Sequence, residues 1–310
     1  AGLEPAAVGY HQLEGQGGGT RQAKAGGREG RSRGRARAEG IAGATSSPWE
    51  THPMTAVDRA LLDQAVEWTR AAGELTLGWF NHSELTIDSK GDGSPVTQAD
   101  RAAERLLREL IQAEYPDDSI HGEEEEDRIG TSGRRWVIDP IDGTKAFSHG
   151  VATYSNLLYM EDSHGGALGV INLPALNETV AAGRGLGCFF EGAPCRVSTH
   201  ASLKGAYLSS TAFELWTPAH FGAVRDAGME LRTWGDAYGY ALVATGRIEA
   251  MTDPVLAWWD LAALTVIIPE AGGTITTWDG NPDLHADAGR FSAIASNGMF
   301  HSELVDTLRL

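Results

Sequence analysis

An apolar stretch that ends in two aspartates constrains this chain more than any other segment. It reads Trp136-Val-Ile-Asp139-Pro-Ile-Asp142-Gly-Thr144-Lys-Ala-Phe147. Pro140 fixes φ and lacks an N–H group, so we expect a short strand over Trp136–Ile138 that does not continue as a central strand. A tight turn after it can aim both carboxylates at one place, where they repel each other unless protons or a cation intervene. The segment therefore predicts a site for a hard divalent cation, which prefers oxygen ligands.

The residues after Asp142 can add an anion site. Gly143 permits a close backbone approach, and the backbone N–H groups of Gly143 and Thr144 can cradle a phosphate oxygen at the start of a helix. Together with a bound cation, this arrangement is typical of metal-assisted phosphoryl transfer. Asp-Pro and Asp-Gly pairs are also common turn formers, so a structural turn is the alternative for this segment alone.

Two further acidic segments occur in the same chain. Glu123 to Glu126 follow Gly122, and Asp260 follows two tryptophans, ahead of an apolar stretch that ends in Glu270-Ala-Gly-Gly273. Taken alone, the glutamate run is typical of a solvated face, and Asp260 is typical of a helix N-cap. The occurrence of all three segments in one chain favours a shared metal site.

Charge and hydropathy exclude other classes of protein. With 25 basic and 42 acidic side chains, the net charge is −17, which argues against a general nucleic-acid binder because such proteins need a basic surface. No apolar run reaches the about eighteen residues of a transmembrane helix, and the N-terminus lacks the apolar core of a signal peptide. We therefore expect a cytoplasmic protein with neither a nucleic-acid nor a membrane partner.

Composition changes sharply at Met54. Residues 1–53 are rich in Gly and Arg and poor in large aliphatic side chains, so they cannot bury enough apolar area to offset the entropy of ordering. We expect a disordered extension that lies upstream of a natural start at Met54; a basic RNA-binding arm is the alternative. The two cysteines, Cys188 and Cys195, can form a disulfide, but two free thiols are the favoured reading.

Periodicity from residue 54 onward predicts one catalytic domain of mixed α and β structure. Helices are expected over Thr55–Phe80 and near Glu214–Asp226, Ala237–Thr245 and Leu261–Glu270, with an antiparallel sheet over Thr153–Gly183. We divide this domain into a metal-binding half, 54–184, and a substrate-specificity half, 185–310.

The segment from Trp136 to Phe147 resembles the signature of the inositol monophosphatase-like phosphatases. The order of the three acidic segments is also that of the family, and the resemblance extends from about Val57 to Leu308. It implies an α+β fold, a layered α-β-α-β-α sandwich of the inositol monophosphatase/fructose-bisphosphatase type, usually as a homodimer. It also implies Mg²⁺-dependent hydrolysis of a small phosphorylated metabolite.

The resemblance assigns roles residue by residue. It implies one Mg²⁺ held by Glu123, Asp139 and the carbonyl of Ile141, a second held by Asp139, Asp142 and Asp260, and a third, weaker ion near Glu123. Glu123 and Thr144 would orient the attacking water, with Asp100 hydrogen-bonded to Thr144. Phosphate would contact Asp142, Gly143 and Thr144.

Residues of the second half indicate the substrate. Gly235-Asp236-Ala-Tyr238 and Trp259-Asp260-Leu-Ala-Ala-Leu264 resemble the histidinol-phosphate phosphatase branch, and Asp236 and Asp253 can pair with the cationic groups of that substrate. A helix N-cap is the alternative for Asp236. Other substrates left open are inositol 1-phosphate, fructose bisphosphate and nucleotide bisphosphates. A non-catalytic metal-binding regulator is the alternative of another class, against which the complete set of ligand residues argues.

Overall fold

The computed structural model describes residues 55–82, 87–89, 95–284 and 291–309. The extension expected over 1–53 lies outside these residues. The helices are α1 Arg59–Leu77, α2 Gln98–Glu114, α3 Thr144–Ser148, α4 Pro218–Asp226, α5 Asp236–Ala244, α6 Trp258–Ala262, α7 Leu264–Glu270 and α8 His301–Leu308. The strands are β1 Ile87–Ser89, β2 Pro95–Thr97, β3 Ser119–Gly122, β4 Arg135–Asp142, β5 Ser155–Asp162, β6 Gly165–Leu173, β7 Glu178–Gly183, β8 Gly187–Phe190, β9 Ala193–Cys195, β10 Tyr207–Ser209, β11 Glu230–Arg232, β12 Ala250–Leu256, β13 Thr274–Thr276 and β14 Phe291–Ser296.

Two large sheets organise the chain. The seven-stranded sheet has the order β3-β4-β5-β6-β7-β8-β9, and every neighbouring pair is antiparallel except β3 with β4. The antiparallel arrangement expected over Thr153–Gly183 is thereby confirmed. The five-stranded sheet has the mixed order β11-β10-β12-β14-β13. β8 and β9 lie beyond residue 184 but still belong to the larger sheet, so the smaller sheet begins at β10.

Side chains of β4 show how the layers form. Trp136 and Ile138 pack with Leu107 of α2 and Trp68 of α1 on one face, whereas Val137 packs on the opposite face against the layer that contains α5, α6 and α7. This alternation is the period of two of a strand with both faces covered. Burying each such side chain stabilises the fold by about 1.5–3 kcal/mol.

The remaining layers follow from the second sheet. Its inner face packs on α5, α6 and α7, and its outer face packs on α4 and α8 through Leu208, Ile294, Val224 and Leu304. The layers therefore run α1 and α2, large sheet, α5 to α7, small sheet, α4 and α8. This confirms the expected α-β-α-β-α sandwich. In the described part of the chain, no helix has both the length and the apolar character needed to cross a membrane.

Helix boundaries differ from the sequence-based expectation. α1 begins at Arg59, because the Asp58 carboxylate caps it by accepting a hydrogen bond from the N–H of Ala60 at 2.9 Å. The single helix expected over Leu261–Glu270 is two short helices, α6 and α7, that meet at Ala263. α6 begins three residues earlier than expected, at Trp258, which places Asp260 inside its first turn.

Pro140 does not end β4, contrary to the expectation. β4 continues to Asp142, and its pairing with β5 shifts register between Asp139 and Asp142. A bulge of this kind tolerates a residue that cannot donate to the ladder. The carbonyl of Pro140 accepts a hydrogen bond from Nδ2 of Asn156 at 2.6 Å. The bulge, rather than a turn after the strand, therefore aims the two aspartates.

Candidate metal and phosphate site

Three carboxylates meet where β4 ends and α6 begins. Asp139 and Asp142 lie on either side of the β4 bulge, and Asp260 lies in the first turn of α6, which packs against β4 and β5. One carboxylate oxygen from each lies within 4.8 Å of the other two. We call these three residues the carboxylate cluster. They come from positions that the sequence analysis assigned to one metal site.

Burial makes this cluster costly without a cation. Asp139 is only 1% exposed, and its Oδ1 accepts no hydrogen bond from the described residues. Burial, together with the charges of Glu123, Asp142 and Asp260, raises the pKa of Asp139 well above its ordinary value. Buried like charges of this kind must bind either protons or a cation. The donor set, all carboxylate oxygen, fits a hard divalent ion such as Mg²⁺.

Asp142 is held by two donors that the sequence did not reveal. Its Oδ2 accepts hydrogen bonds from Oγ of Ser155 at 2.9 Å and from the backbone N–H of Ala237 at 2.7 Å. Burial and the nearby charges of Asp236 and Asp260 still raise the pKa of Asp142. Ala237 lies in the first turn of α5, so this bond joins the large sheet to the layer between the sheets. A backbone donor from a distant segment leaves no signal in the sequence.

The loop after β3 carries Glu123 beside this cluster, close enough for its charge to act on Asp139. The loop is fixed by Glu104 of α2, a fully buried carboxylate that accepts hydrogen bonds from the N–H groups of Glu124 and Glu125 at 2.7 and 3.1 Å. Arg108 donates to Glu104 at 2.7 Å. The i, i+4 spacing of Glu104 and Arg108 is a signal that could have identified this support.

Thr144 and Asp100 lie near each other in the fold but do not pair. Thr144 begins α3, which packs against β2, and Asp100 lies in the first turn of α2, directly after β2. Oγ1 of Thr144 donates to the carbonyl of Ile141 at 3.1 Å. Oδ2 of Asp100 accepts from the N–H and the hydroxyl of Thr97, at 2.8 and 2.6 Å, in a capping box. Burial raises the pKa of Asp100 to about 6, and its Oδ1 has no partner among the described residues.

Asp236 reaches the site from the second half of the chain. It adopts a left-handed backbone with φ +54°, which is unusual for a residue other than glycine. Gly143 has φ +78°, which favours glycine, and a Cβ atom there would lie 2.8 Å from Oδ2 of Asp236 and would displace that carboxylate. Burial and the charge of Asp260 raise the pKa of Asp236 to about 6, while Lys145 opposes this shift. Gly235, not Asp236, is the N-cap of α5.

The carboxylate oxygens of Asp253 accept hydrogen bonds from other residues of the protein. Lying on β12 and only 2% exposed, it accepts hydrogen bonds from the N–H of Thr211 at 2.9 Å and from the hydroxyl of Tyr240 at 3.1 Å. Burial raises its pKa to about 7. These bonds tie the strand end to the loop at Thr211 and to α5. A contact between Asp253 and substrate stays a prediction.

A cavity of about 350 Å³ adjoins the carboxylate cluster, and several of the aspartates described above line it. Its acidic lining residues are Asp142, Asp236, Asp253, Asp260 and the exposed Glu214. Lys145 is the cationic side chain among the residues that line it. Apolar walls come from Leu215, Val255 and Leu256. Glu214 was not singled out from the sequence, because an acid at the start of an expected helix carries no special pattern. The helix expected near Glu214–Asp226 in fact begins at Pro218, after its N-cap Thr217, so Glu214 lies in the preceding loop.

Comparison with known proteins places this site in a family. The inositol monophosphatase family model matches residues 58–309. Among curated proteins, the chain is 42% identical over 237 residues to the histidinol-phosphatase of Chlorobaculum parvum, covering 75% of this chain and 91% of that protein. It is 37% identical to the histidinol-phosphatase of Mycobacterium tuberculosis, covering 80% and 95%. It is 35% identical to the fructose-1,6-bisphosphatase/inositol-1-monophosphatase of Thermotoga maritima, covering 79% and 94%.

A solved structure supports the same assignment. The extragenic suppressor protein SuhB of Bartonella henselae superposes with a TM-score of 0.74 at 28% identity, covering 81% of this chain and 98% of that chain. The resemblance noted in the sequence is thereby confirmed. Because the family model spans nearly all of the described chain and the relatives align over most of their own length, the chain belongs to the inositol monophosphatase family, a family of phosphoric monoester hydrolases.

Proposed function

We propose that this chain is a Mg²⁺-dependent phosphatase that hydrolyses L-histidinol phosphate to L-histidinol and phosphate. The observation that carries the proposal is the charge of the cavity beside the carboxylate cluster. Its lining combines Asp142 and Asp260 with Asp236, Asp253 and Glu214, against one lysine. Such a cavity repels an anion unless cations are bound, and it attracts a substrate that carries positive charge next to its phosphate.

Two to three Mg²⁺ ions would balance the charge of the site. Glu123, Asp139 and the carbonyl of Ile141 would hold one, the carboxylate cluster would hold a second, and a weaker third would lie near Glu123. Oδ1 of Asp139 accepts no hydrogen bond from the described residues, and the pKa values of Asp139 and Asp142 are raised, as expected for such ligands. When bound, the metal lowers the pKa of a water molecule and neutralises phosphate oxygens.

The protein's own groups would position the reactants. The Thr144 hydroxyl donates its hydrogen to the carbonyl of Ile141, so its oxygen can still accept a hydrogen bond from the attacking water. We assign to Glu123 the second contact with that water. Once a bound ion takes up the Ile141 carbonyl, the Thr144 hydroxyl would donate to Asp100 instead. Gly143 and Thr144 lie at the start of α3, where backbone N–H groups have no carbonyl partner within the helix. These two N–H groups would therefore donate to a phosphate oxygen, and the ions held at Asp142 would bind the same phosphate.

The carboxylates away from the cluster would select the substrate. Histidinol phosphate has an ammonium and an imidazole group, and each charge-assisted hydrogen bond contributes about 1.5–3 kcal/mol. Asp236 and Glu214 are the candidates for these contacts, since Asp253 already accepts two protein hydrogen bonds. A bisphosphate would bring a second anion into an acidic cavity, which disfavours the bisphosphate alternatives. Inositol 1-phosphate is the second candidate, because the name of the Thermotoga maritima relative includes inositol-1-monophosphatase beside fructose-1,6-bisphosphatase and only the bisphosphate brings a second anion.

Side-by-side kinetics would test the substrate. At saturating Mg²⁺, we expect kcat/KM for histidinol phosphate to exceed that for inositol 1-phosphate by about ten- to a hundredfold, the factor that one charge-assisted contact supplies. A preference for inositol 1-phosphate would overturn the proposal. Phosphate release that persists after complete chelation of divalent ions would overturn the metal dependence.

A charge-neutral variant would test the reading of the cavity. Glu214→Gln should lower kcat/KM for histidinol phosphate about tenfold while leaving hydrolysis of glycerol 2-phosphate nearly unchanged. Glu230→Gln is the matched control, because Glu230 pairs with Arg232 outside the cavity. Equal losses on both esters would contradict a role of Glu214 in substrate choice.

Assembly, compartment and domain extent are part of the same proposal. We propose a homodimer, located in the cytoplasm, whose catalytic unit is 54–310. Light scattering would give the mass in solution, and fractionation of cells would give the compartment. Removing 1–53 should leave kcat and the melting temperature unchanged; a lost activity would show that the extension contributes to the enzyme.

A further inference from the structure

A tight hairpin brings the two cysteines of the chain opposite each other. β8 and β9 are joined by Glu191 and Gly192, whose φ values are +47° and +75°. Two positive φ values are typical of a two-residue hairpin turn whose twist matches that of the strands. The resulting register places Phe190 opposite Ala193 and Cys188 opposite Cys195. The turn therefore fixes which residues face each other.

The distance between the two sulfurs is short enough for a bond to form. Both thiols are free, and their Sγ atoms lie 3.5 Å apart. Directly opposed residues of an antiparallel pair have Cα atoms about 4.5–5.5 Å apart, within the about 4.4–6.8 Å that a disulfide spans. Small rotations about χ1 can close the remaining gap, without a change of register.

The two thiols differ in environment. Cys188 is buried in the core between the sheets, whereas Cys195 is half-buried. The contact with Cys188 and the charge of Arg247 lower the pKa of Cys195, and the contact with Cys195 together with burial raises the pKa of Cys188. Because the thiolate is the nucleophile in disulfide exchange, Cys195 is the thiol that reacts first with a small molecule, and Cys188 is placed to react second.

We propose that Cys188 and Cys195 form a reversible oxidation site whose co-reactant is a low-molecular-weight disulfide such as oxidised glutathione. The thiolate of Cys195 attacks one sulfur of the small disulfide, which releases one small thiolate and leaves a mixed disulfide on Cys195. Cys188 loses its proton and attacks Sγ of Cys195, which releases the second small thiolate. In total, the protein loses two protons and two electrons, and these convert one small disulfide into two small thiols.

The bond would reinforce a hairpin that is attached to the central helical layer. The N–H groups of Gly185 and Gly187, just before and at the start of β8, donate to the two oxygens of Glu270 at 2.8 Å each. After β9, the N–H of Val197 donates to the carbonyl of Ala271 at 3.1 Å. Both ends of the hairpin are thus tied to the C-terminus of α7. A cross-link between the strands limits their opening, so we expect the melting temperature to rise by about 5 °C.

Equilibration with glutathione would test the site on the intact protein. In excess oxidised glutathione, wild-type protein should lose both titratable thiols, show a Cys188–Cys195 linked peptide by mass spectrometry, and melt about 5 °C higher. Dithiothreitol should reverse all three changes. Because the carboxylates of the proposed phosphatase lie on β4 and α6, turnover should change less than about twofold on oxidation, so the result does not depend on the proposed substrate.

Two variants separate this pair from ordinary surface oxidation. Cys188→Ser should accumulate a stable mixed disulfide at Cys195, because no second thiol resolves it, and Cys195→Ser should react slowly and show no melting shift. If Cys188→Ser does not fold, two results still test the proposal: the linked peptide of the wild type and the behaviour of Cys195→Ser. Wild-type protein that keeps both thiols, or that carries glutathione without forming the linked peptide, would overturn the proposal.

Discussion

Replacing Asp139 with asparagine should stabilise the metal-free protein and abolish its activity. Asp139 is buried, and one of its oxygens lies within 4.8 Å of carboxylate oxygens of Asp142 and Asp260. At this distance, two full charges repel by about 3.5 kcal/mol at an effective dielectric constant of about 20. The raised pKa of Asp139 means that protons already relieve part of this repulsion. We therefore expect a gain of about 1–2 kcal/mol, or roughly 5 °C in melting temperature.

Thermal unfolding with and without Mg²⁺ would measure both effects. A ligand that binds only the folded state stabilises it by about 2.7 kcal/mol at a hundredfold excess over its Kd, so the wild-type protein should melt several degrees higher in Mg²⁺. Asp139→Asn removes a ligand that we assign to two ions, so its melting temperature should not respond to Mg²⁺ at the same concentration. Turnover should fall to at most a few per cent of wild type.

Asp118 offers a matched control with the opposite sign. It is equally buried, but its oxygens accept hydrogen bonds from Nε of Arg134 at 3.1 Å and from Nε1 of Trp136 at 2.9 Å. Neutralising a paired buried carboxylate destabilises, so Asp118→Asn should lower the melting temperature and keep the Mg²⁺ response. Our reasoning is refuted if Asp139→Asn melts as low as Asp118→Asn without metal, or if it keeps the full Mg²⁺ shift.

Three further substitutions test other contacts. Thr144→Ala should lower kcat about ten- to a hundredfold with KM nearly unchanged, since the hydroxyl is assigned to the water and the backbone N–H is kept; a raised KM at normal kcat in steady-state kinetics would contradict this. Asp253→Asn should lower kcat/KM equally for histidinol phosphate and glycerol 2-phosphate, because Thr211 and Tyr240 already occupy its oxygens; a loss confined to histidinol phosphate would restore the substrate contact expected from the sequence. His301 is buried between Ser296 and Thr276, and burial lowers its pKa. His301 therefore binds a proton more readily in the unfolded protein than in the folded protein, so the free energy of unfolding decreases as the pH drops below about 6.5. Measured by denaturant unfolding, this free energy should decrease less for His301→Asn than for wild type over pH 5–7.

The sequence predicted the parts of the site that are encoded locally. Asp139 and Asp142 are close in the chain, so a local bend is enough to bring their carboxylates together, although the bend is a bulge rather than a turn. The order of the layers followed from the family resemblance, not from periodicity. The start of α1 could not be predicted as closely, because Thr55 and Asp58 are both good N-caps; the structure uses Asp58, and the N–H of Val57 just before it donates to the carbonyl of the distant Arg184.

Contacts between distant segments could not be predicted from the sequence. The hydrogen bond from the Ala237 N–H to Asp142 depends on the way the two sheets pack, and a backbone donor has no residue type that would reveal it. The same holds for the use of Asp253, whose partners Thr211 and Tyr240 come from a loop and a helix. Both cases involve a carboxylate whose role is set by the donor that tertiary packing brings to it.

The donor at Ala237 has a consequence for how enzymes built this way can diversify. The group that steadies Asp142 belongs to the main chain of the buried Ala237, so substitution of the exposed side chains that line the cavity leaves that donor in place. Substitutions at the mouth of the cavity can therefore change which substrates it accepts, while the carboxylate cluster keeps its arrangement. A change from one phosphate ester to another would then need substitutions at only a few exposed positions. Chimaeras that exchange the second half, 185–310, between relatives should retain hydrolysis wherever the start of α5 keeps its position.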